Sequence, residues 1–152
     1  MKRYTEVQIK GDYEITFLIQ NMFNSYTLTT RNSNIVTDEG LNIILQMLCG
    51  KTTRKFGTVY IGDNSTDASP LDTVSTFSHP TQLNASDIDV VENVLTYTIN
   101  VDGSAINDTC EIGIWSDGDN PVLITRDVHD SYVVPSSAII TIKYKLTLSN
   151  RE

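Results

Sequence analysis

Alternation of apolar and polar residues dominates the chain and predicts β-strands. Two long segments show a period of two, which places every second side chain on the same face of a strand. Polar residues occupy the opposite face in both segments. The apolar faces comprise Val91, Leu95, Tyr97, Ile99 and Val101 in the first segment, and Ile140, Ile142, Tyr144, Leu146 and Leu148 in the second.

One stretch departs from this alternation and predicts a helix. Its apolar residues recur at i, i+3, i+4 and i+7, which is the spacing of one helical face. Thr37 or Asp38 is a suitable N-cap, and Gly50 stands where a glycine ends a helix. The sequence therefore predicts one short amphipathic α-helix near residues 38–49 that buries its apolar face against the sandwich. The residues of that face are Leu41, Ile44, Leu45 and Leu48.

The remaining apolar segments are short and separated by turn-type residues. With seven or eight strands, one helix and no β-α-β alternation, the pattern predicts an all-β fold, an antiparallel β-sandwich of jelly-roll type. Residues 1–33 are predicted to form an N-terminal β-rich arm or extra strands, and residues 34–152 the β-sandwich domain. The pattern leaves open whether the first thirty residues pair with their own core or with a neighbouring subunit.

Length and charge narrow the class of partner. The 152 residues suffice for one domain, and the formal net charge is −8. Between residues 63 and 130 there are thirteen acidic residues and one basic residue, Arg126, so we expect no nucleic-acid partner. We also expect no membrane span, because no apolar run approaches about 18 residues. Cys49 and Cys110 are interpreted as buried free thiols in a reducing compartment.

Motifs that carry chemistry are absent from the sequence. There is no nucleophile elbow, no H-E-x-x-H helix and no P-loop. The two histidines, His79 and His129, occur in loop-like segments and are interpreted as surface residues. Residues 63–67 have the oxygen spacing of a calcium loop, but Ala68 and Val74 replace the required glycine and glutamate. The sequence therefore predicts no catalytic residue, no metal site and no cofactor, and hence a protein that is not an enzyme.

Glu111 is the most informative acidic residue. It follows Cys110 within a strand that is otherwise apolar, so we expect it to be half-buried. A carboxylate there requires a partner, and Arg126 on the returning strand is predicted to supply it. A general acid or base role would need a second convergent group, which the sequence does not identify.

A possible binding loop gives an alternative function. Residues 117–120, "DGDN", are typical of a hairpin turn, although their carboxylates also suit calcium. Jelly-roll domains often bind sugars through loop aromatics and carboxylates. On this alternative the chain is a receptor- or carbohydrate-binding module whose loop residues cluster near the hairpin turn. These residues are Trp115, Asp117, Asp119 and Tyr132.

Taken in order, the segments resemble small structural proteins and fibre-like domains of bacteriophage tails. That family has an N-x-V-x-x-x-G-x-x-x-I/L helix motif, an I-x-I/L-G strand, an E-x-G-I/L strand, and a long final strand after L-x-x-R. The resemblance covers roughly residues 34–148. The matching residues are Asn34, Val36, Gly40, Ile44, Ile61, Gly62, Glu111, Gly113, Ile114, Leu123 and Arg126.

The resemblance implies a virion protein that acts by assembly, without catalysis. Such proteins form symmetric homo-oligomers and attach to other phage structural proteins in a tail, baseplate, fibre-attachment or neck. Assembly takes place in the host cytoplasm, which agrees with the interpretation of the cysteines. The helix is implied to be a family feature that closes the sandwich and is a candidate subunit contact.

Overall fold

Two antiparallel β-sheets and one α-helix make up the part of the chain that the structure describes. The computed structural model describes the backbone of residues 6–20 and 25–151 and the side chains of residues 35–147. The prediction of an all-β antiparallel sandwich with one short helix is confirmed within these ranges. The strands are β1 Glu6–Gln20, β2 Ser25–Val36, β3 Phe56–Gly62, β4 Thr81–Leu83, β5 Ala85–Val91, β6 Val94–Asp102, β7 Glu111–Ser116, β8 Leu123–Val128 and β9 Ile139–Arg151; the helix α1 is Asp38–Leu48, and 3₁₀ turns lie at Val74–Thr76 and Gly103–Ala105.

Strand β2 joins the two sheets. The strand order is β4-β3-β7-β8-β2-β1-β9-β6-β5, and each neighbouring pair is antiparallel. Most of β2 pairs with β1, whereas its last residues, Ile35 and Val36, pair with Arg126 and Thr125 of β8. The first sheet is therefore β2-β1-β9-β6-β5 and the second is β2-β8-β7-β3-β4.

The N-terminal strands pair within their own chain. β1 pairs with β2 over residues 11–20 and with β9 over residues 6–10 and at Glu14. Residues 1–5 and 21–24 of the predicted N-terminal segment lie outside the described residues. The helix motif of the resemblance is only partly helical, because Asn34 and Val36 end β2 whereas Gly40 and Ile44 lie in α1.

The core lies between the inner faces of the two sheets. The alternation predicted for Leu95–Val101 and Ile140–Leu146 is confirmed, since these apolar positions of β6 and β9 face the core. Leu148, the last position of the second predicted face, lies outside the residues whose side chains are described. The prediction that Val91 shares a strand with Leu95 is wrong, because Val91 ends β5 and Leu95 lies in β6. A tight turn at Glu92 and Asn93 intervenes, Val91 pairs with Val94 across it, and Val91 is exposed. The central core residues are Val59, Ile61, Tyr97, Ile99, Ile112, Ile114, Ile124, Ile140, Ile142 and Tyr144.

Helix α1 packs against β8, but with a different face from the predicted one. Gly40, Ile43 and Ile44 are buried, and Met47 is partly buried against the core. The other three residues of the predicted face are exposed, at 39% for Leu41, 65% for Leu45 and 77% for Leu48. Only Ile44 of the predicted face lies inside.

The contact between Gly40 and β8 explains which face is buried. A Cβ atom on Gly40 would lie 2.4 Å from the carbonyl oxygen of Ile124, so only glycine permits this approach. Thr37 fixes the helix start from the same side, because its Oγ1 accepts from the Gly40 N–H at 2.9 Å and donates to the Leu123 carbonyl. The helix is therefore held to the strand through Gly40, and its leucines point away.

Candidate functional site

Glu111 and Arg126 form a fully buried ion pair on neighbouring strands. Arg126 Nε donates to Glu111 Oε1 at 3.0 Å, and both side chains are 0% exposed. The predicted pairing of the two residues is confirmed, and Glu111 is more deeply buried than expected. β7 is covered on both faces, because loop residues 63–80 cover the side that carries Glu111.

The second carboxylate oxygen of Glu111 holds this loop. Glu111 Oε2 accepts from the backbone N–H of Asn64 at 2.7 Å and from that of Ser78 at 3.0 Å. The two donors come from the two ends of the loop. One carboxylate therefore closes the loop and binds Arg126 at the same time, with both of its oxygens engaged.

Arg126 contacts the middle of the same loop. Its Nη1 donates to Asp72 Oδ2 at 3.0 Å, and its Nη2 donates to the carbonyl oxygens of Asn64 at 3.1 Å and Thr66 at 3.0 Å. Its guanidinium carbon lies 6.0 Å from the centre of the Phe77 ring. Each of the three guanidinium nitrogens of Arg126 therefore donates to at least one protein oxygen.

Two glycines of the motif set make room for this arrangement. A Cβ atom on Gly62 would lie 2.6 Å from Glu111 Oε2 and 2.6 Å from the carbonyl oxygen of Ser78. A Cβ atom on Gly113 would lie 2.1 Å from the carbonyl oxygen of Thr125. The structure thus brings four motif residues together beneath loop residues 63–80. Two of them bind the loop and two leave space for the contacts: Glu111 and Arg126, and Gly62 and Gly113.

The chemistry available to the cluster is structural. A general acid or base must reach a substrate proton, and Glu111 is completely buried with both oxygens bound. Among the residues whose side chains are described, no group of three or more His, Cys, Asp or Glu is placed to hold a metal ion. The cluster therefore anchors residues 63–80 to the β7–β8 hairpin.

The segment 117–120 forms the hairpin turn between β7 and β8, as expected. Arg54 donates to the carbonyl oxygens of Asp117 at 3.3 Å, Asp119 at 2.6 Å and Asn120 at 2.8 Å. Asp117 Oδ1 accepts from the backbone N–H of Lys55 at 2.7 Å. Three backbone carbonyl oxygens of this turn and one carboxylate oxygen of Asp117 are therefore engaged by Arg54 and by the Lys55 N–H.

Trp115 packs inside the protein instead of facing a binding loop. Its ring stacks on Tyr60 with centroids 3.8 Å apart and meets the edge of Phe77 at 5.5 Å. With Leu123 these residues form a second, smaller core beneath loop residues 63–80. A sugar-binding aromatic must expose its face, which the side chain of Trp115 does not do.

Tyr132 lies at the opposite end of the hairpin from the turn. The register pairs Glu111 with Val128, so residues that follow β8 lie near the start of β7, about 17 Å from its end. There Tyr132 stacks on His129 with ring centroids 4.8 Å apart. The predicted clustering of Tyr132 with Trp115, Asp117 and Asp119 is therefore wrong.

The two histidines differ in burial. His79 is exposed, as expected, with Nδ1 at 2.9 Å from Asp63 Oδ2. The pKa of Asp63 is lowered, most by a hydrogen bond from the Ser78 side chain and next by the hydrogen bond from His79. The surface interpretation of His129 is wrong, because it is buried with Nδ1 at 2.8 Å from the Asp130 carbonyl, and this burial lowers its pKa.

Comparisons with known proteins identify no relative of this chain. No protein-family model matches the chain, and no match was found among curated proteins or solved structures. In the described part of the chain, no helix is long and apolar enough to cross a membrane.

The two cysteines differ from each other in burial. Cys110 is buried, as expected, but Cys49 is exposed at the end of α1, so the prediction of burial is wrong for Cys49.

The sequence interpretation missed a surface on α1. We define the outer face of α1 as Leu41, Leu45 and Leu48, which together form an exposed apolar stripe along the helix. The signal for it was present, because Gly40, Ile43, Ile44 and Met47 form a second stripe at i, i+3, i+4 and i+7. A helix with two apolar stripes has more apolar surface than one contact can cover.

Proposed function

We propose that the chain is a non-enzymatic structural protein of a bacteriophage virion. It acts by self-association and by attachment to neighbouring proteins in a tail, baseplate, fibre-attachment or neck. Two lines of support are independent: the order of motifs resembles that family, and the outer face of α1 is the kind of surface that a subunit contact covers.

The outer face of α1 is the observation that carries the proposal. Its three leucines are between 39% and 77% exposed. Fully burying a leucine contributes about 1.5–3 kcal/mol, so covering this face yields about 3–5 kcal/mol per subunit. That gain is large enough to form the centre of an interface once the entropy cost of association is offset by surrounding contacts.

A second exposed apolar surface suits attachment to another protein. β5 is the last strand in the described order of the first sheet, and its Ile88, Val90 and Val91 side chains are exposed. Asp87 and Asp89 alternate with them. Charged residues on an edge strand oppose uncontrolled pairing while leaving the strand open to a specific partner.

The buried ion pair and the charged residues at the hairpin turn serve the fold. Glu111 and Arg126 anchor residues 63–80, and Arg54 and Asp117 hold the turn. The receptor-binding alternative rested on Trp115, Asp117, Asp119 and Tyr132, and no observation favours it, because Trp115 is buried and Tyr132 lies elsewhere. An assembly role requires only surfaces of the kind described above.

Two measurements test the proposal. Light scattering of the purified chain is expected to give one discrete oligomer, and quantitative mass spectrometry of phage particles induced from cells that carry its gene is expected to find the chain in stoichiometric amounts. A chain that stays outside the particle fraction and monomeric at all concentrations contradicts the proposal. A chain bound to particles only through saccharides favours the receptor-binding alternative instead.

A further inference from the structure

We propose that a groove between β4 and β6 binds an extended segment of a partner protein, which pairs as a β-strand with both walls. The inference rests on the proposed attachment to neighbouring proteins and specifies a site for it. The β4–β6 groove has a volume of about 460 Å³ and is lined by residues 81–84 on one wall and residues 100–102 on the other, together with Ser104, Ala105 and Ile139.

The groove opens where β4 and β5 separate into different sheets. β4 ends at Leu83 and pairs with β3, whereas β5 begins at Ala85 and pairs with β6, so only Asn84 lies between them. The pairing of β5 with β6 stops at Ile99, and residues 100–102 continue beyond it with β9 as their one strand partner among the described residues. Each wall therefore has an unpaired strand edge.

Hairpin geometry shows which backbone groups of β6 face the groove. β6 begins directly after a two-residue turn, so its first residue, Val94, forms a hydrogen-bonded pair with β5. Every second residue from Val94 onwards then directs its N–H and C=O towards the β5 side, and the Ser86 hydroxyl donates to the Thr98 carbonyl at 3.1 Å in agreement with this. Beyond the end of β5, the N–H and C=O of Asn100 and Asp102 therefore point into the groove.

β4 presents its backbone from the other wall. The Gly62 carbonyl accepts from the Cys110 N–H at 2.9 Å on the β7 side, so the backbone groups of the preceding residue, Ile61, face β4. Ile61 pairs there with Thr81. The next residue of β4, Gln82, therefore directs its N–H and C=O away from β3 and into the groove.

An inserted strand is the ligand that satisfies both edges. Each wall offers three residues of strand, about 10 Å of edge, which a segment of three or four extended residues spans. Strands added to open sheet edges in this way gain affinity from main-chain hydrogen bonds and specificity from alternate side chains. The groove therefore recognises a strand-forming peptide through its backbone.

The lining side chains indicate the chemistry of the partner. Leu83 is buried and Ile139 is 52% exposed, so one face of the bound segment is apolar. Asp102 is exposed and is the one charged residue among the described residues of the lining, which favours a basic side chain beside it. The exposed edge strand β5 of a second copy would instead bring Asp87 and Asp89, so the fitting partner is a different protein.

A peptide titration tests strand pairing. The probe is a capped synthetic peptide of alternating threonine and valine that ends in lysine, added to the isotopically labelled full-length chain and followed by NMR. Amide exchange of Gln82, Asn100 and Asp102 is expected to slow at least about tenfold at saturating peptide. The same peptide with alternate amides N-methylated lacks the donors of one edge and is expected to bind at least about tenfold more weakly. Equal binding of the two peptides, or unprotected amides at millimolar peptide, overturns the proposal.

Filling the groove tests its use in assembly. Ser104 is exposed on the 3₁₀ turn Gly103–Ala105, so Ser104→Trp fills the groove without removing a strand hydrogen bond. Val133→Trp is the matched control, because Val133 is 88% exposed and does not line the groove. Relative to this control, Ser104→Trp is expected to lower both the peptide affinity and the amount of chain in particles at least about tenfold.

The outcomes separate this site from the proposed function. Particles that contain the wild-type chain and Ser104→Trp in equal amounts overturn the groove as an attachment site, while the proposed function stands. If the wild-type chain is monomeric and absent from particles, the proposed function is wrong, and the peptide titration alone decides whether the groove binds a strand.

Discussion

Arg126 Nε lies 3.0 Å from Glu111 Oε1, and neither side chain is exposed to solvent. A pair at this depth is costly to break, because removal of one partner leaves an uncompensated charge in the interior. Here the same two side chains also close a loop of eighteen residues, 63–80. The ion pair thus links the ordered conformation of residues 63–80 to the β7–β8 hairpin.

Replacing the arginine should therefore be strongly destabilising. We expect Arg126→Met to lower the free energy of unfolding by about 3–5 kcal/mol, measured by urea denaturation, because Glu111 loses its cation. Lys55→Met, an exposed cation, is the control and should change stability by about 0.5 kcal/mol or less. The double variant Glu111→Gln, Arg126→Met should recover part of the loss. A cost for Arg126→Met equal to that of the control would show that the pair does not hold the loop.

A second prediction concerns the sign of a glycine substitution in α1. Ala is favoured over Gly in a helix interior by about 1 kcal/mol. At Gly40 we expect the opposite, a clear loss of stability for Gly40→Ala, because the added Cβ would lie 2.4 Å from the Ile124 carbonyl oxygen. Asn42→Ala, on the exposed side of the same helix, is expected to be neutral or slightly stabilising in the same thermal melts. A stabilised Gly40→Ala would mean that α1 does not lie against β8 at this point.

These residues also show what could be predicted from the sequence. The strands β6 and β9 were predictable because one face is buried and the other polar, which produces a period of two. The existence of α1 was predictable for the equivalent reason with a helical period. The buried face was not, because two apolar stripes interleave in α1 and the periodicity alone does not distinguish the contact with β8 from the outer face.

The candidate site was likewise predictable from the sequence only in part. The Glu111–Arg126 pair was predictable because a carboxylate in an apolar strand requires a cation and Arg126 is the one basic residue between positions 63 and 130. The loop contacts were not, since Asn64 and Asp72 lie more than thirty positions from both partners and carry no local periodicity. The burial of Trp115 beneath the same loop was missed for that reason.

The pH dependence of stability should report the burial of His129. Burial lowers the pKa of folded His129 below its ordinary value of 6.5, so the unfolded chain binds a proton that the folded chain does not. Stability contributed by neutral His129 is thus present above pH 6.5 and lost as the pH falls towards the folded pKa. We expect His129→Gln to flatten the fall in melting temperature between pH 7 and about 5. The matched variant His79→Gln, at the exposed histidine, should leave that slope unchanged, and the reverse pattern would contradict the burial.

The hairpin turn supplies a fourth prediction. Arg54 donates to three carbonyl oxygens of residues 117–120, and hydrogen bonds from a charged donor each contribute about 1.5–3 kcal/mol when buried. Because Arg54 is half-exposed, we expect Arg54→Ala to cost about 1–2 kcal/mol in total. Lys55→Ala keeps the backbone bond to Asp117 and should be close to neutral. Added calcium should not raise the melting temperature of the wild-type chain, and a calcium-dependent rise would indicate that the turn binds the ion.

Sedimentation equilibrium of the wild-type chain, Leu45→Glu and Val133→Glu tests self-association through α1 most directly. A discrete wild-type oligomer is predicted, with Leu45→Glu raising its dissociation constant at least about tenfold, because a carboxylate would replace the central apolar contact of the interface. Val133→Glu should associate like the wild type, and all three should have the same circular dichroism spectrum. A wild-type chain that remains monomeric, or a Leu45→Glu chain that associates as tightly as the wild type, would contradict self-association through the outer face of α1.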